Sequence, residues 1–275
     1  SSGLWLILAG SAEWVEPRRA FLALLFLSRL LSLVGFLACA DYFGIRETRQ
    51  RFLFAMLIAV TPLMQGASYA GNGGLFINYF SHSEVANGLF LLAIWAALRG
   101  NFTVSLAMIG VTVFVNAFFG VWVAFVLAFM VGHEVLVGRV GLRRLAVSVG
   151  IGFVVSTAFA LPVILNIASN PDFGKPIDFD YVKLLEYYYP YHFLFYTVPI
   201  EEIIGLAIVL AIAVFALRRL GDPDRRMSVA LAACVLLYAI GIAVPWLTHA
   251  PLVLNLQLLR SGTMVHELAA LLLSV

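Results

Sequence analysis

Residues 200–217 read IEEIIGLAIVLAIAVFAL, residues 218–226 read RRLGDPDRR, and residues 227–247 read MSVALAACVLLYAIGIAVPWL. Two apolar runs thus flank a short turn that holds four arginines. A helix needs about 20 predominantly apolar residues to cross the hydrocarbon core of a bilayer. The stretch therefore predicts two membrane-spanning helices joined by a turn that stays in water.

The same pattern extends along the whole chain of 275 residues, which is 63% hydrophobic and only 12% charged, with a mean hydropathy of +1.00. A soluble domain is about half apolar and about a quarter charged. We therefore expect an all-α, polytopic transmembrane helix bundle that forms a single transmembrane domain over residues 1–275. The first residue, Ser1, and the apolar run that ends at Val275 predict a piece of a longer protein.

Apolar runs bounded by charges, Gly or Pro predict about eight complete spans and a truncated ninth. They are, roughly, Phe21–Phe43, Phe52–Tyr69, Glu84–Leu98, Phe102–Val115, Val121–Leu136, Leu145–Ile167, Ile200–Leu217 and Met227–Leu247, with the ninth from Leu252 onward.

Basic residues fall in alternate connections between these runs, as the positive-inside rule requires for cytoplasmic turns. Eleven of the 17 Lys and Arg residues lie in connections on the same predicted side of the membrane, whereas Arg18 and Arg19 lie on the opposite side. The pattern holds only if the chain reverses on the outer side at residues 116–120. The eleven are Arg46, Arg49, Arg51, Arg99, Arg139, Arg143, Arg144, Arg218, Arg219, Arg225 and Arg226.

Several functional classes are excluded by composition and missing motifs. A net charge of +2 without a basic face gives no reason to expect a nucleic-acid partner. Walker, dinucleotide-binding, HExxH and GxSxG motifs are absent from the sequence. Cys39 and Cys234 lie in apolar runs, where cysteine packs as a small hydrophobe. The sequence indicates no metal site, and it leaves open whether a divalent metal or another cofactor is needed.

The long outer connection, residues 169–199, is the polar centre of the chain. His192 is a candidate proton carrier or phosphate contact. Alternatively, it is a structural histidine whose hydrogen bonds are satisfied at the membrane interface. Tyr191 stands among several tyrosines that could form an interfacial belt or contact a ligand. The polar residues in and just after this connection are Asp172, Lys175, Asp178, Asp180, Glu186, His192, Glu201 and Glu202.

The first outer connection is rich in Gly and Asn and ends at His82 and Glu84. Glycines let the backbone approach a ligand closely. Ser81 or Ser83 can cap the following helix, and the positive end of the helix dipole then stabilises the carboxylate of Glu84. His82 and Glu84 are also candidates for catalysis, so the structural and catalytic interpretations of Glu84 remain open.

Arg29 and Arg260 lie inside predicted spans, where a charge is costly. The spacing of Gln257, Arg260 and Glu267 predicts one polar helical face that lines a cavity or a helix contact. An arginine there could grip a phosphate with two hydrogen bonds. The alternative is an internal ion pair between Arg29 or Arg260 and a buried carboxylate.

Three stretches carry a resemblance to a known family. They are FSHSEVANGLFLLAIWAALRGNFTVSLAMIGVTVFVNAFFGVWV (residues 80–123), YYPYHF (residues 188–193) and LQLLRS (residues 256–261). Their layout, from Phe52 to the end, resembles bacterial GT-C-type membrane glycosyltransferases and their relatives. The resemblance implies multi-pass insertion in the bacterial cytoplasmic (inner) membrane and sugar transfer from a polyprenyl-phosphate carrier at the outer face.

By this resemblance, Gln257 and Arg260 would contact the carrier phosphate, and a carboxylate base would assist displacement at the anomeric carbon. The chain departs from the family pattern in its first outer loop, where only Glu13 and Glu16 remain. The residues that would face the reaction chamber are His82, Glu84, Asn116 and His192, with Asn116 in a position where relatives often have histidine.

Two other functions fit the sequence. A transporter or flippase would bind an anionic or lipid-linked substrate through Arg29, Arg260 and Glu267. A non-catalytic membrane subunit would need only the structural interpretations of these residues. Membrane lipid is a partner in every case.

Overall fold

The computed structural model describes residues 3–171, 173–175 and 177–275. Almost all regular structure in this part of the chain is helical, which confirms the expected all-α class. The helices are α1 (Gly3–Ser11), α2 (Pro17–Tyr42), α3 (Thr48–Val60), α4 (His82–Leu98), α5 (Phe102–Val115), α6 (Ala117–Val137), α7 (Leu142–Ala168), α8 (Tyr181–Tyr188), α9 (Pro190–Phe193), α10 (Ile200–Leu220), α11 (Arg226–Leu247), α12 (Pro251–Leu254) and α13 (Gly262–Ser274). Two short antiparallel strands, β1 (Gly66–Ala67) and β2 (Gly74–Leu75), form the one sheet in the described residues.

Five helices of the described chain, α2, α6, α7, α10 and α11, are long and apolar enough to cross a membrane. The expected count of eight or nine spans is not confirmed. The helices α3, α4 and α5 hold 13, 17 and 14 residues. At about 1.5 Å per residue, a helix as short as α5 covers only about two thirds of a 30 Å hydrocarbon core.

The second predicted span, residues 52–69, ends early because of a proline. Pro62 has no backbone N–H and begins a 3-10 turn, Pro62–Met64. Thr61 precedes it in an extended conformation and accepts a hydrogen bond from Leu63 N at 3.4 Å. The helix therefore stops at Val60, and the chain enters the glycine-rich connection.

The expected ninth span is not one continuous helix. Between α12 and α13 the chain forms a 3-10 turn, Leu258–Ser261, and Gln257 just before it has a φ of +52°. A left-handed residue cannot continue a right-handed helix. Gln257, Arg260 and Glu267 therefore do not share one helical face, contrary to the expectation from their spacing.

The helices alternate in direction, as the arginine pattern predicts. Ser105 Oγ of α5 donates to Ala93 O of α4 at 2.9 Å, which marks an antiparallel hairpin. Thr103 Oγ1 donates to Ser148 O at 3.3 Å, and further along both helices a Cβ at Gly110 would overlap the Ser156 backbone. The helices α5 and α7 are thus parallel, so α6 runs opposite to both and the chain reverses at Asn116.

The bundle has two chemically different ends. At the basic end, the connections at residues 43–47, 99–101, 138–141 and 221–225 come together. Tyr42 OH donates to Asp222 Oδ1 at 3.1 Å, and Arg139 pairs with Asp224. At the opposite end, called the loop end, lie residues 61–81, the reversal at Asn116, the described part of the connection at residues 169–199, and the connection at residues 248–261.

Large apolar side chains cover the outside of the bundle. Phe26 of α2, Phe153 of α7 and Phe215 of α10 are 67%, 68% and 62% exposed. The helix α4, in contrast, is buried on most of its surface and holds the centre. An apolar exterior around a helical core indicates that lipid is the solvent of this chain.

Candidate functional site

A cavity of about 200 Å³ opens at the loop end. It lies where the glycine-rich connection, the start of α4, the reversal at Asn116 and the 3-10 turn at residues 258–261 meet. Four of the residues selected from the sequence line it: His82, Asn116, Gln257 and Arg260. The complete lining is Gly73, Gly74, His82, Ser83, Asn87, Asn116, Phe118, Phe119, Trp122, Gln257, Arg260 and Thr263.

The glycine-rich wall of the cavity is a tight loop between β1 and β2. Ser68 N donates to Gly73 O at 2.8 Å, and Gly73 N donates back to Ser68 Oγ at 3.0 Å. Ala70 and Asn72 have positive φ angles of 50° and 49°. Such backbone conformations persist only where the surroundings hold them in place.

Three helices hold this loop from outside. Ala70 N donates to Glu202 Oε2 of α10 at 2.8 Å, and Ala70 O accepts from Tyr238 OH of α11 at 2.6 Å. Tyr69 N donates to His266 Nε2 of α13 at 3.1 Å. These contacts give the small loop a fixed position against the bundle.

The loop packs directly on the backbone that carries Arg260. A Cβ at Gly71 would lie 2.5 Å from Leu259 O, and a Cβ at Gly73 would overlap Thr263 Cγ2. Only glycine allows two backbone segments to approach this closely. The glycine cluster therefore positions Arg260, which is a role that the sequence did not reveal.

Arg260 is the main positive charge of the cavity. Its Nη1 donates to Gln257 Oε1 at 2.8 Å, and its Nε is buried without a hydrogen-bond partner. No carboxylate in the described part of the chain lies within ion-pair distance of it. A guanidinium with spare donors and no counter-ion favours an anionic ligand that accepts two hydrogen bonds.

Asn116 lines the cavity, but its amide also has structural partners. Its Oδ1 accepts from Phe119 N at 3.2 Å and caps α6, while its Nδ2 donates to Ser83 Oγ at 3.2 Å. Ser83 N in turn donates to Ser81 Oγ, which makes Ser81 the cap of α4. The amide thus joins the starts of two helices and directs both toward the cavity.

His82 and Asn87 complete the polar part of the lining. His82 is the one titratable base among the lining residues, and its ring lies 6.1 Å from that of Trp5. Asn87 Nδ2 donates to Gly74 O at 3.2 Å, whereas its Oδ1 is buried without a partner in the described structure. Sequence reasoning missed Asn87, although its place four residues after Ser83 puts both on one helical face.

Glu84 and Arg29 lie outside this cavity and form an ion pair of 3.3 Å. Glu84 is 3% exposed and also accepts hydrogen bonds from Ile77 N at 2.8 Å and Ser28 Oγ at 3.3 Å. Arg29 donates to Ile77 O and lies over the ring of Phe76. The pair therefore matches the structural alternative and holds α2, α4 and the first outer connection together.

The connection at residues 169–199 contributes less to the cavity than its composition suggests. Tyr191 is 41% exposed and does not line the cavity, and neighbouring tyrosines are exposed in the same way, as in an interfacial belt. His192 also lies outside the lining. Burial and the positive charge of Arg260 lower the pKa of His192 to about 4. Asp172 lies outside the described residues.

No cluster of three or more metal-ligating side chains occurs in the described residues. No protein-family model, curated protein or solved structure matches this chain. The chemistry of the loop-end cavity is therefore the basis for a functional conclusion.

Proposed function

We propose that this chain binds a polyprenyl-phosphate-linked sugar in the loop-end cavity and transfers that sugar at the non-cytoplasmic face of a bacterial inner membrane. The observation that carries the proposal is Arg260, a largely enclosed guanidinium with an unused Nε donor and no paired carboxylate in the described structure. A charge in this state is costly until an anion binds it. Phosphate supplies the acceptor geometry that arginine grips most strongly.

The orientation in the proposal follows the arginines. The basic end faces the cytoplasm, where positively charged turns are retained, and the loop end faces outward. The short helices α3, α4 and α5 then cross a locally thinned bilayer, which gives the eight spans that the sequence predicts. A lipid carrier would reach the cavity from the membrane, and an acceptor would reach it from water.

In the transfer step, an acceptor hydroxyl attacks the anomeric carbon of the sugar. The bond between that carbon and the phosphate oxygen breaks, and its electron pair stays on the polyprenyl phosphate, whose charge Arg260 stabilises. The proton of the hydroxyl passes to His82. The base in this step is His82 and not the expected carboxylate, because Glu84 forms an ion pair with Arg29 and does not line the cavity.

One observation favours a second candidate, a non-catalytic subunit that binds the same phosphate. No carboxylate lines the cavity in the described part of the chain. The transporter hypothesis loses support in the form that the sequence suggested, since Arg29 lies in another cavity and Glu267 is fully buried elsewhere. Arg29 and Arg260 line different cavities of the described structure, and Glu267 lines neither.

The test compares Arg260→Gln, Arg260→Lys and the control Arg219→Gln, which lies at the basic end. Each full-length variant is reconstituted in vesicles, and both polyprenyl phosphate binding and transfer from a polyprenyl-phosphate sugar are measured. We expect Arg260→Gln to weaken binding about tenfold to a hundredfold, because charge-assisted hydrogen bonds are lost. The lysine variant should recover part of the loss, and the control should match the wild type.

Two outcomes decide between the candidates. Binding that depends on Arg260 without any sugar transfer supports the non-catalytic subunit. Transfer that disappears in His82→Gln while binding persists supports the enzyme. Binding that is unchanged in Arg260→Gln contradicts both.

A further inference from the structure

A second polar cavity, of about 480 Å³, lies at the basic end of the bundle. It opens between the turn that joins α4 to α5 and the first residues of α7 and α11. No carboxylate lines it in the described structure. Its polar lining consists of Arg99, Asn101, Thr103, Arg144, Ser148 and Arg226.

Arg226 forms the fixed wall of this cavity, called the basic-end cavity from here on. Its Nε donates to Glu134 Oε1 at 2.6 Å, and its Nη1 donates to Leu98 O at 2.8 Å. A Cβ at Gly100 would lie 3.4 Å from Nη1 and Nη2. The guanidinium is thus held by neighbours on several sides and cannot swing away.

The other two arginines carry charge that is poorly compensated. Arg99 Nη1 lies 3.2 Å from Asp41 Oδ2, but Asp41 also pairs with Arg46 at 3.3 Å and Arg51 at 3.7 Å. One carboxylate therefore serves three guanidinium groups. Arg144 is exposed, and no carboxylate of the described residues lies within ion-pair distance of it. The cavity keeps an excess of positive charge.

One helix start adds to this excess. The helix α7 begins at the cavity and has no side-chain hydrogen bond at its N-cap, whereas at the start of α11 Ser228 N donates to Asp222 Oδ2 at 2.7 Å. The free N–H groups of a helix start favour an anion, and the helix dipole acts in the same direction. Polar side chains of Thr103 and Ser148 stand between the arginines.

We propose that the basic-end cavity binds a phosphate group, carried either by an anionic lipid headgroup or by a soluble phosphate compound. Basic pockets between membrane helices on the cytoplasmic side are suited to anionic headgroups. The exposed guanidinium groups of Arg99 and Arg144 supply two contacts, while Arg226 supplies the fixed one. This site is separate from the loop-end cavity and does not depend on sugar transfer.

The test uses the double variant Arg99→Gln/Arg144→Gln and the control Arg49→Gln/Arg219→Gln. Both remove two positive charges from the basic end, but only the first pair lines the cavity. The full-length proteins in non-ionic detergent are titrated with phosphatidylglycerol, with phosphatidylcholine and with inorganic pyrophosphate. Thermal unfolding reports stabilisation, and native mass spectrometry counts the bound molecules.

We expect the wild type and the control to bind phosphatidylglycerol or pyrophosphate more tightly than phosphatidylcholine. Affinity in the cavity variant should fall about fivefold for each arginine removed. A loss seen only with phosphatidylglycerol identifies a lipid headgroup, and a loss seen with pyrophosphate identifies a soluble phosphate. Equal affinities of the cavity variant and the control variant for these ligands would overturn the proposal. Wild-type binding of phosphatidylcholine that is as tight as binding of phosphatidylglycerol and pyrophosphate would also overturn it. Unchanged circular dichroism of the variants excludes unfolding as the cause.

Discussion

Arg226 and Arg260 lie at opposite ends of the same bundle, and their surroundings differ in one respect that decides their roles. Arg226 pairs with Glu134 at 2.6 Å and lies 3.9 Å from Asp224. Within the described residues, the side chain of Arg260 donates a hydrogen bond to the neutral amide of Gln257, and its buried Nε has no partner. The pair with Glu134 makes Arg226 necessary for the fold, although Arg226 also forms one wall of the basic-end cavity, whereas Arg260 has no carboxylate partner in the described structure.

The difference arises from what each end must do. At the basic end, Arg226 joins α11 to α6 and to the end of α4 through Glu134 and Leu98. At the loop end, the glycine-rich loop packs on the backbone of Arg260 and leaves its side chain free to face the cavity. The comparison predicts that stability depends more on Arg226 than on Arg260, and that ligand binding in the loop-end cavity depends on Arg260.

The largest effect on stability is expected from Arg226→Gln. Removal of one partner leaves Glu134, which is 0% exposed, as an unpaired buried charge. The free energy of unfolding should fall by about 3 kcal/mol or more. Arg260→Gln, which strands no carboxylate in the described structure, should change it by less than about 1 kcal/mol. Denaturant unfolding in detergent measures both.

The control for this prediction is the double variant Arg226→Gln/Glu134→Gln. Because it removes both charges of the pair, it should be more stable than Arg226→Gln alone. Equal losses of stability in Arg226→Gln and Arg260→Gln would refute the distinction between the two ends.

An intermediate effect is expected from Gly73→Ala, which tests how the loop end is held together. The new methyl group would overlap Thr263 Cγ2, so the loop or the start of α13, which directly follows the turn with Arg260, must shift. Overpacking of this kind costs about 1–3 kcal/mol. Thermal unfolding and polyprenyl phosphate binding should both decline.

Thr263→Ser provides the matched rescue, because it deletes the methyl group that Gly73→Ala would meet. The double variant Gly73→Ala/Thr263→Ser should recover most of the lost stability and binding. If it behaves like Gly73→Ala alone, the close approach of the two segments is not what positions Arg260.

The smallest effect concerns pH. Burial and the charge of Arg260 lower the pKa of His192 from 6.5 to about 4. At a pH between about 4 and 6.5, the imidazole of His192 binds a proton in the unfolded chain but stays neutral in the folded chain. This histidine therefore leaves stability unchanged above pH 6.5 and reduces it as the pH falls toward 4.

Unfolding temperatures at pH 7 and pH 5 measure this contribution. His192→Asn should show a smaller drop between the two pH values than the wild type. Arg260→Gln should show a partial reduction of the drop, since it removes one of the two causes. An identical drop in all three proteins would show that His192 does not contribute to the pH dependence. A smaller drop in His192→Asn with an unchanged drop in Arg260→Gln would show that the charge of Arg260 does not affect His192.

Part of the fold could be predicted from local sequence. The reversal at Asn116 followed from the parity of the arginines, since positive charge acts on each connection separately. The helix start at Ser81 followed from a side chain that caps its own neighbours, whereas the cap of α6 by Asn116 was not predicted. The expected number of spans is not confirmed, because α3 ends at Val60 before Pro62 and a 3-10 turn at Leu258–Ser261 interrupts the ninth apolar run.

The candidate site could be predicted only in part. His82, Asn116, Gln257 and Arg260 were selected as polar residues in costly or loop positions, and the fold brings them around one cavity. Asn87 was missed because a single amide in an apolar run resembles an ordinary helix residue. Whether Glu84 was a base or a counter-ion required its distance to Arg29.

The sequence by itself determined that the chain is helical and apolar enough for a membrane and that its basic turns gather at one end, because apolar content and basic turns act over short stretches of chain. Only the tertiary structure decided which arginines are compensated and which face a cavity. Glu134 and Arg226 are 92 residues apart in the chain and 2.6 Å apart in space. Charge compensation depends on the distance in space, and the packing of the helices sets that distance.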